Sequence, residues 1–343
     1  MAIELAETQI SWPDLSPSWQ YPRLNAHSAA WNQAVAQGLS HKPYLLVHRR
    51  ADGDTNGVLP LHYVNSKLFG RFLVSTTYVN TGGVWAEDSS TASELISAAC
   101  DLADQLDVRY LELRHEIPVA HPRLNRQRTD KVHMRLPLPK SLEELNQAFK
   151  SKLRSQLKKV ASQPFQLSWG KQDLLEDFYR VFARNMRDLG TPVFPKKLFD
   201  CILTEFSGNA ELCVVSIQGT PLSAALLVHQ YGVTEVPSAS SLRAYNATGC
   251  NMWMYHQLLS RAIERGSHTF DFGRSTIDSN TYRFKAQWNA KPFPSIWQYY
   301  ERRGSTEDMR IDSSTNQRLI RVWKCLPVWL TRWIGPLIVR GIP

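Results

Sequence analysis

The chain has 343 residues, of which 43% are hydrophobic and 21% charged, which is the composition of a globular protein. This length is too great for one ordinary core and fits two domains of roughly 150 residues. No apolar run reaches the ~18 residues of a membrane span, and the N-terminus lacks the features of a secretory signal, so we expect a cytoplasmic protein. The net charge of +9 favours anionic partners such as phosphates, nucleic acid or an acidic membrane surface.

The first half predicts a strand meander followed by a helix and a further strand. From Pro43 to Val79, three apolar segments are separated by turns rich in Gly, Asp and Asn. Thr91 and Glu94 have the spacing of a capping box at the start of a helix. Apolar residues then recur at helical spacing: Leu95, Ala99, Leu102 and Leu106. The segment YLELR that follows is typical of a buried strand.

The same order of elements returns downstream, which indicates two degenerate copies of one unit. The strands ELCVVSI, PLSAALLVHQ and TEVPSASSL precede a loop, an amphipathic helix, the strand TFDFGR and a cationic aromatic loop. The predicted apolar residues of the helix are Met252, Tyr255, Leu259 and Ala262. We expect Asn251 to be the N-cap of this helix and Gly266 to end it. The sequence therefore predicts an α/β (α+β) fold with mixed sheets flanked by helices.

A basic helix is predicted between the two copies, starting at Ser141. Its apolar stripe consists of Leu145, Phe149, Leu153 and Leu157. Lys150, Arg154 and Lys158 recur every four residues beside that stripe and form a row of like charges. An anionic partner would offset their repulsion, whereas the alternative interpretation is a solvated linker helix.

Five segments of the second half resemble the Fem-type acyl- and aminoacyltransferases: KSKLRSQLKK (150–159), ARNMRDLGTPVFP (183–195), EVPSASSLRAYN (235–246), FDFGRST (270–276) and TYRFKAQW (281–288). Within that family, the chain is similar to the FemAB-like proteins that accompany the PEP-CTERM/exosortase system in exopolysaccharide-producing Gram-negative bacteria. The resemblance implies tandem GNAT-like (acyl-CoA N-acyltransferase) domains. It predicts a degenerate N-terminal domain over 1–138, a basic connecting helix over 139–162, a transferase domain over 163–304 and a Trp- and Arg-rich tail over 305–343.

The resemblance also implies a function and part of a site. Fem-type enzymes line the transfer site with a Phe-Lys pair, which here corresponds to Phe284 and Lys285. A basic residue on their inter-domain helix helps to hold the acceptor's phosphate, which points to Arg154 or Lys150. The implied activity is transfer to a phosphate-bearing, lipid-linked sugar or peptide precursor of the cell envelope or exopolysaccharide. The alternative is a non-catalytic GNAT-like module that binds such a precursor.

The loop after the strand TEVPSASSL is a candidate binding site for the acyl donor. It opens onto a helix N-terminus, where free N–H groups and the helix dipole favour a phosphate or carboxylate. Arg243, Tyr245 and Asn246 are its candidate substrate-binding residues, and Arg274 on the strand TFDFGR is a further one. The usual acetyl-CoA glycine signature is absent, since Arg243 is followed by AYNATGC. The donor therefore stays open between acyl-CoA and aminoacyl-tRNA, and the latter would make tRNA a partner.

Acyl transfer needs a group that accepts the acceptor's proton. Glu235 and Asp271, on two strands expected to be adjacent, are the candidate bases. Either carboxylate could instead orient Arg243 or Arg274 through an ion pair.

The reaction also needs cations or N–H groups that face the developing oxyanion. Lys285 could stabilise that oxyanion or bind a carboxylate, and Tyr282 or Tyr245 could donate a proton to the leaving group. The five cysteines are scattered without metal-ligand spacing, so no metal is expected.

The tail from Leu319 to Ile342 combines tryptophans with arginines and a lysine. Pro327 and Pro336 interrupt it, so it is not expected to span a bilayer. Its composition is typical of a segment that lies on an anionic membrane, which would place the protein peripherally at the inner membrane. The alternative, which we favour because three exposed tryptophans promote aggregation, is that the tryptophans cover the core of the second domain.

Overall fold

The computed structural model describes residues 2–6, 19–306 and 314–343 of the chain. They divide into two compact units, each with its own hydrophobic core. The first unit consists of Met1–Lys131, Pro294–Gln317 and Leu337–Pro343, and the second consists of Val132–Phe293 and Arg318–Pro336.

The elements of the first half are β1 Ala2–Ala6, α1 Ala29–Leu39, β2 Lys42–Arg49, β3 Thr55–Ser66, β4 Gly70–Val74, β5 Trp85–Ala86, α2 Ser89–Gln105, β6 Tyr110–His115, β7 Arg126–Pro137, α3 Leu142–Ala148 and α4 Ser151–Ala161. Those of the second half are β8 Gln166–Gly170, α5 Leu175–Leu189, α6 Lys196–Glu205, β9 Ala210–Ile217, β10 Thr220–Gln230, β11 Val233–Ser241, α7 Cys250–Glu264, β12 Thr269–Thr276, α8 Asn280–Ala286, β13 Lys291–Glu301, α9 Ser314–Cys325 and α10 Val328–Val339.

The first unit contains a mixed sheet with the strand order β1, β2, β3, β4, β6, β13. Its neighbouring strands are antiparallel except β4 and β6, which run parallel. Helix α2 covers this sheet with Leu95, Ala99 and Leu102, as the helical periodicity predicts. The predicted capping box was wrong, because the helix begins earlier and the Asp88 carboxylate accepts a hydrogen bond from the Thr91 N–H at 2.8 Å.

The second unit contains a mixed sheet with the order β7, β12, β11, β10, β9, β8. Strands β8 to β11 are joined by antiparallel pairing, whereas β11 and β12 run parallel. Helix α7 packs on this sheet, and of its predicted apolar residues Tyr255, Leu259 and Ala262 are buried, whereas Met252 is half-buried. The elements β2, β3, β4, α2 and β6 thus recur in the same order as β9, β10, β11, α7 and β12. This recurrence confirms the predicted tandem α/β fold of mixed sheets flanked by helices.

The single helix predicted from Ser141 is in fact two helices. Phe149 and Lys150 are extended, with ψ values of 145° and 148°, and separate α3 from α4. The break allows the Phe149 ring to enter the core, where its centroid lies 5.6 Å from that of Trp288. Asn289 donates a hydrogen bond to the Ala148 carbonyl oxygen at 2.9 Å and so satisfies the end of α3.

Two further expectations near the end of the second unit need correction. Residues Asn280–Ala286 form a helix rather than a loop, because the Ser279 hydroxyl caps the Tyr282 N–H at 3.2 Å. Helix α7 begins after Gly249, so Asn251 is not its N-cap. Gly266, with φ of 73°, follows the helix as predicted.

Candidate functional site

Strands β11 and β12 form a parallel ladder only over their first residues. Val233, Thr234 and Glu235 pair with Thr269, Phe270 and Asp271. Beyond these pairs β11 continues to Ser241 and β12 to Thr276. We call the place where this pairing ends the fork. Glu235 and Asp271 are the last pair before the fork, and they are the two carboxylates that the sequence singled out.

Lys285 is held at the fork by the backbone of β12. It lies in the last turn of α8 and is only 8% exposed. Its Nζ donates hydrogen bonds to the carbonyl oxygens of Gly273 at 3.0 Å and Arg274 at 3.1 Å. An ammonium carries three N–H groups, so this geometry leaves one for a ligand.

Burial lowers the pKa of Lys285 from 10.5 to about 8, because an ammonium in a poorly solvated site loses its hydration. The negative charge of Asp271 acts in the opposite direction and raises this pKa. The balance leaves the lysine mainly protonated at neutral pH and able to lose its proton just above it. Buried lysines with such perturbed pKa values are concentrated at functional sites.

Both carboxylate oxygens of Asp271 accept hydrogen bonds. It is 4% exposed, and its Oδ2 accepts a hydrogen bond from Arg135 Nε at 2.8 Å. Its Oδ1 accepts one from the Gly273 N–H at 2.7 Å. Gly273 has φ of 76°, which favours glycine, and its carbonyl oxygen in turn accepts from Lys285. Arg135, Asp271, Gly273 and Lys285 therefore form one connected network.

Glu235 and Arg274 flank this network in different ways. Glu235 is half-buried on β11, directly opposite Asp271 in the parallel register. Arg274 is half-buried and contributes its backbone carbonyl to Lys285. The next residue, Ser275, is buried, and within the described part of the chain its hydroxyl has no hydrogen-bond partner.

Aromatic packing fixes the helix that carries Lys285. The Phe284 ring lies edge-on to Tyr255 at 5.0 Å between centroids and contacts Trp288 at 6.3 Å. Tyr282 is half-buried and packs against the same core cluster. The two residues of the Phe-Lys pair thus have different roles: Phe284 packs against the core, and Lys285 reaches the fork.

The basic residues of the connecting segment lie along α4. Lys150 precedes the helix as its N-cap, and Arg154 and Lys158 are exposed on it. Phe149, two residues before α4, contacts Trp288, which lies two residues after α8. The predicted stripe is therefore shorter than expected, with two of its three cations on one helix.

The candidate donor loop between β11 and α7 is a 3₁₀ turn over Arg243–Thr248. Arg243 and Asn246 are exposed, and Tyr245 is half-buried. The turn ends at Gly249, whose φ is 76° and whose hypothetical Cβ would lie 2.3 Å from Val160 Cγ1 of α4. The loop and the basic helix therefore meet at this glycine.

The sequence did not indicate Arg135 or the two carbonyl oxygens that bind Lys285. Arg135 lies on β7, 136 positions before its partner Asp271, and no local pattern marks it. A glycine inside the strand TFDFGRST was a usable signal, because such glycines often mark a bulge or a close approach of the backbone.

Neither a membrane span nor a metal cluster was found in the described residues. Within 2–6, 19–306 and 314–343, no helix is both long enough and apolar enough to cross a bilayer. Across the same ranges, His, Cys, Asp and Glu side chains form no group of three that could hold a metal ion.

Comparisons with known proteins agree with this architecture. Residues 147–286 match the family described as an acetyltransferase (GNAT) domain, whereas no curated protein sequence matches the chain. Among solved structures, FemX is 14% identical with a TM-score of 0.60, covering 86% of this chain and 93% of that one. L-PGS from Bacillus licheniformis is 13% identical with a TM-score of 0.53, covering 90% and 98%. The C-terminal domain of a protein described as a lysylphosphatidylglycerol synthetase, from Agrobacterium fabrum, is 14% identical with a TM-score of 0.51, covering 79% and 87%.

The matched segment contains both α4 and the complete fork with Lys285. This segment is therefore similar to acetyltransferase (GNAT) domains. The chain as a whole shares the fold of FemX.

Proposed function

We propose that this protein transfers an acyl or aminoacyl group to a phosphate-bearing, lipid-linked sugar or peptide precursor of the cell envelope or exopolysaccharide. The observation that carries the proposal is the buried Lys285, held by two backbone carbonyl oxygens with one N–H remaining. A preorganised cation in a poorly solvated site stabilises an oxyanion strongly, because it needs no reorganisation when the charge develops.

The proposed acyl transfer places Lys285 at the carbonyl oxygen of the acyl donor. An amine or hydroxyl of the acceptor forms a bond to the acyl carbon, and the carbonyl oxygen becomes an oxyanion that Lys285 stabilises. The bond from that carbon to the sulfur of a thioester donor, or to the ribose oxygen of an aminoacyl-tRNA, then breaks. The acceptor's proton passes to a base, and the leaving group takes up a proton.

Glu235 is our candidate for that base. It is half-buried and lies directly opposite Asp271 in the parallel register. Both oxygens of Asp271 accept hydrogen bonds, from Arg135 and from the Gly273 N–H. We assign Asp271 the positioning of Gly273 and Lys285, together with Arg135. Tyr282, on the same helix as Lys285, is the candidate donor of a proton to the leaving group.

Phosphate groups of the substrates would bind to the surrounding cations. Lys150, Arg154 and Lys158 are exposed and suit the phosphate of the acceptor. Arg243, with Tyr245 and Asn246 of the same 3₁₀ turn, suits an anionic donor, because this turn leads into the N-terminus of α7.

The choice of acceptor rests on two likenesses. The name lysylphosphatidylglycerol synthetase denotes the joining of an aminoacyl group to a phosphate-bearing lipid, and that chemistry suits the cations of this site. The segments at 150–159 and 281–288 are similar to FemAB-like proteins of the PEP-CTERM/exosortase system. On this basis we propose that the protein acts at the cytoplasmic face of the inner membrane.

The test is to incubate the purified chain with acyl-CoA or with charged tRNA, together with phosphate-bearing lipid precursors extracted from cell envelopes. Mass spectrometry would detect the mass added to the acceptor. We expect transfer by the wild type and by Lys197→Met, an exposed control on α6, and none by Lys285→Met. Acceptor binding without transfer from either donor would instead support a non-catalytic binding module.

A further inference from the structure

The C-terminal helices α9 and α10 both contact α5 or the segment that follows it, and we call them the tail helices. Arg187, near the end of α5, donates hydrogen bonds to the carbonyl oxygens of Lys324 at 3.2 Å and Leu326 at 3.1 Å. A Cβ at Gly190 would lie 2.5 Å from Ile320 Cγ2, so the backbone there is in close contact with α9. These contacts define the inner face of α9.

Helix α10 is anchored on the preceding turns of α5 and on the segment after it. Arg332 Nη2 donates to Glu176 Oε1 at 2.9 Å, and its guanidinium lies 5.0 Å from the centre of the Tyr179 ring. A Cβ at Gly335 would lie 2.9 Å from the Val193 backbone nitrogen. Both tail helices therefore turn their inner faces toward α5.

The outer faces of the tail helices expose large apolar side chains. Leu319 and Val322 of α9 are 62% and 60% exposed, and Trp329 and Trp333 of α10 are each 70% exposed. The expectation that the tail tryptophans cover the core is therefore wrong for these two. Single exposed apolar residues are common, but two such tryptophans one helical turn apart indicate a surface that binds something.

The charged side chains of the tail helices themselves have one sign. Residues 314–343 contain five basic and no acidic residues. Arg318, Arg321 and Lys324 are exposed on α9. A second copy of the chain docking through the same face would bring these cations together, which is unfavourable.

We propose that the outer faces of the tail helices bind the surface of an anionic phospholipid bilayer. Tryptophan rings are stable at the depth of the headgroups, and Arg and Lys side chains bind the anionic lipid beside them. Neither helix is long enough to cross the bilayer, so the tail helices lie along its surface. Docking would bring the transfer site and a lipid-linked acceptor to the same surface, although the binding itself does not require catalysis.

The experiment is co-sedimentation of the full chain with vesicles of phosphatidylcholine alone or mixed with phosphatidylglycerol. We expect binding to the anionic vesicles only. Trp329→Ala with Trp333→Ala, and separately Arg318→Ala with Arg321→Ala, should each weaken binding roughly tenfold or more. The matched control is Lys67→Ala with Leu68→Ala, which removes an exposed cation and an exposed apolar side chain elsewhere.

Three outcomes would overturn the proposal. The first is that the wild type does not bind anionic vesicles. The second is that the variants of the tail helices bind as well as the control variant does. The third is a dimer in solution that the tryptophan variant dissociates, because the face would then bind protein. Melting temperatures near that of the wild type would show that the variants fold. Lys285→Met should bind vesicles normally, so a failure of the catalytic proposal would not affect this test.

Discussion

Lys285 Nζ donates a hydrogen bond of 3.0 Å to the carbonyl oxygen of Gly273. The N–H of the same glycine donates to Asp271, so one residue with positive φ links a buried ammonium to a buried carboxylate. A side chain at this position would strain the backbone and displace the carbonyl. The position of Lys285 therefore depends on the conformation of β12 as well as on α8.

Replacing Lys285 should change the pH dependence of stability. Its pKa is about 8 in the folded chain and 10.5 ordinarily, so the unfolded chain binds more protons between these values. Below pH 8 both states are protonated and the burial of charge is unfavourable. As the pH rises to 10.5, the free energy of unfolding of the wild type should gain on the order of 3 kcal/mol relative to Lys285→Met. Denaturant unfolding of both proteins across this range measures the difference, and a constant difference would contradict the burial argument.

The transfer rate should fall as the pH rises through about 8 if Lys285 acts as a cation. Lys285→Met should lower kcat by about 10²–10³, which is typical of losing an oxyanion-stabilising group. Lys197→Met serves as the control. A rate that instead rises with an apparent pKa near 8 would identify the neutral amine as the active form and Lys285 as a base.

Removing Arg135 should destabilise the second unit strongly. Arg135→Met leaves the buried Asp271 carboxylate without its cation, a change that typically costs about 3–5 kcal/mol. The double variant Arg135→Met with Asp271→Asn should recover only part of that loss, because it removes the unpaired carboxylate but also the negative charge that favours protonated Lys285. Chemical denaturation of the single and double variants tests this coupling, and additive effects would show that the pair contributes little.

Asp271→Asn should lower the pKa of Lys285 further, because the carboxylate favours the charged lysine. The alkaline limb of the rate profile should then move to lower pH, without a proportionate change in KM. A merely structural effect would instead reduce the rate at all pH values and leave the midpoint of this limb unchanged.

Gly249→Ala should destabilise the junction between α7 and α4. The new Cβ would lie 2.3 Å from Val160 Cγ1, and the φ of 76° adds strain. We expect a loss of about 1–3 kcal/mol. Adding Val160→Ala should recover only the stability lost through the steric clash, since the strain of the backbone at residue 249 persists. A thermal unfolding series of the two single variants and the double variant separates the contributions.

Salt should modulate acceptor binding through α4. Arg154→Ala and Lys158→Ala should weaken the binding of a phosphate-bearing acceptor more at low ionic strength than at high, because exposed charges are screened by salt. Lys197→Ala is the control for a general change in net charge. Calorimetric titration at two salt concentrations measures the effect, and equal losses at both would argue against a phosphate contact.

Local patterns were sufficient to predict the repeated core of the fold. Alternating apolar strands, turn residues and helical periodicity indicated both copies of the meander, helix and closing strand, and Gly266 marked the end of α7 correctly. The patterns failed where tertiary contacts override them. The break at Phe149 depends on a contact with Trp288, and the seven-residue α8 is too short for a clear periodic signal.

Local patterning, composition and the resemblance of short segments were enough to predict the α/β class, the tandem repeat and the candidate pair of Phe284 and Lys285. In contrast, the pairing of Arg135 with Asp271 and the binding of Lys285 by carbonyl oxygens of β12 are visible only in the folded chain. The same is true of the exposure of Trp329 and Trp333. Such relationships join positions far apart in the chain or depend on what covers each face of a helix, and neither is encoded in neighbouring residues.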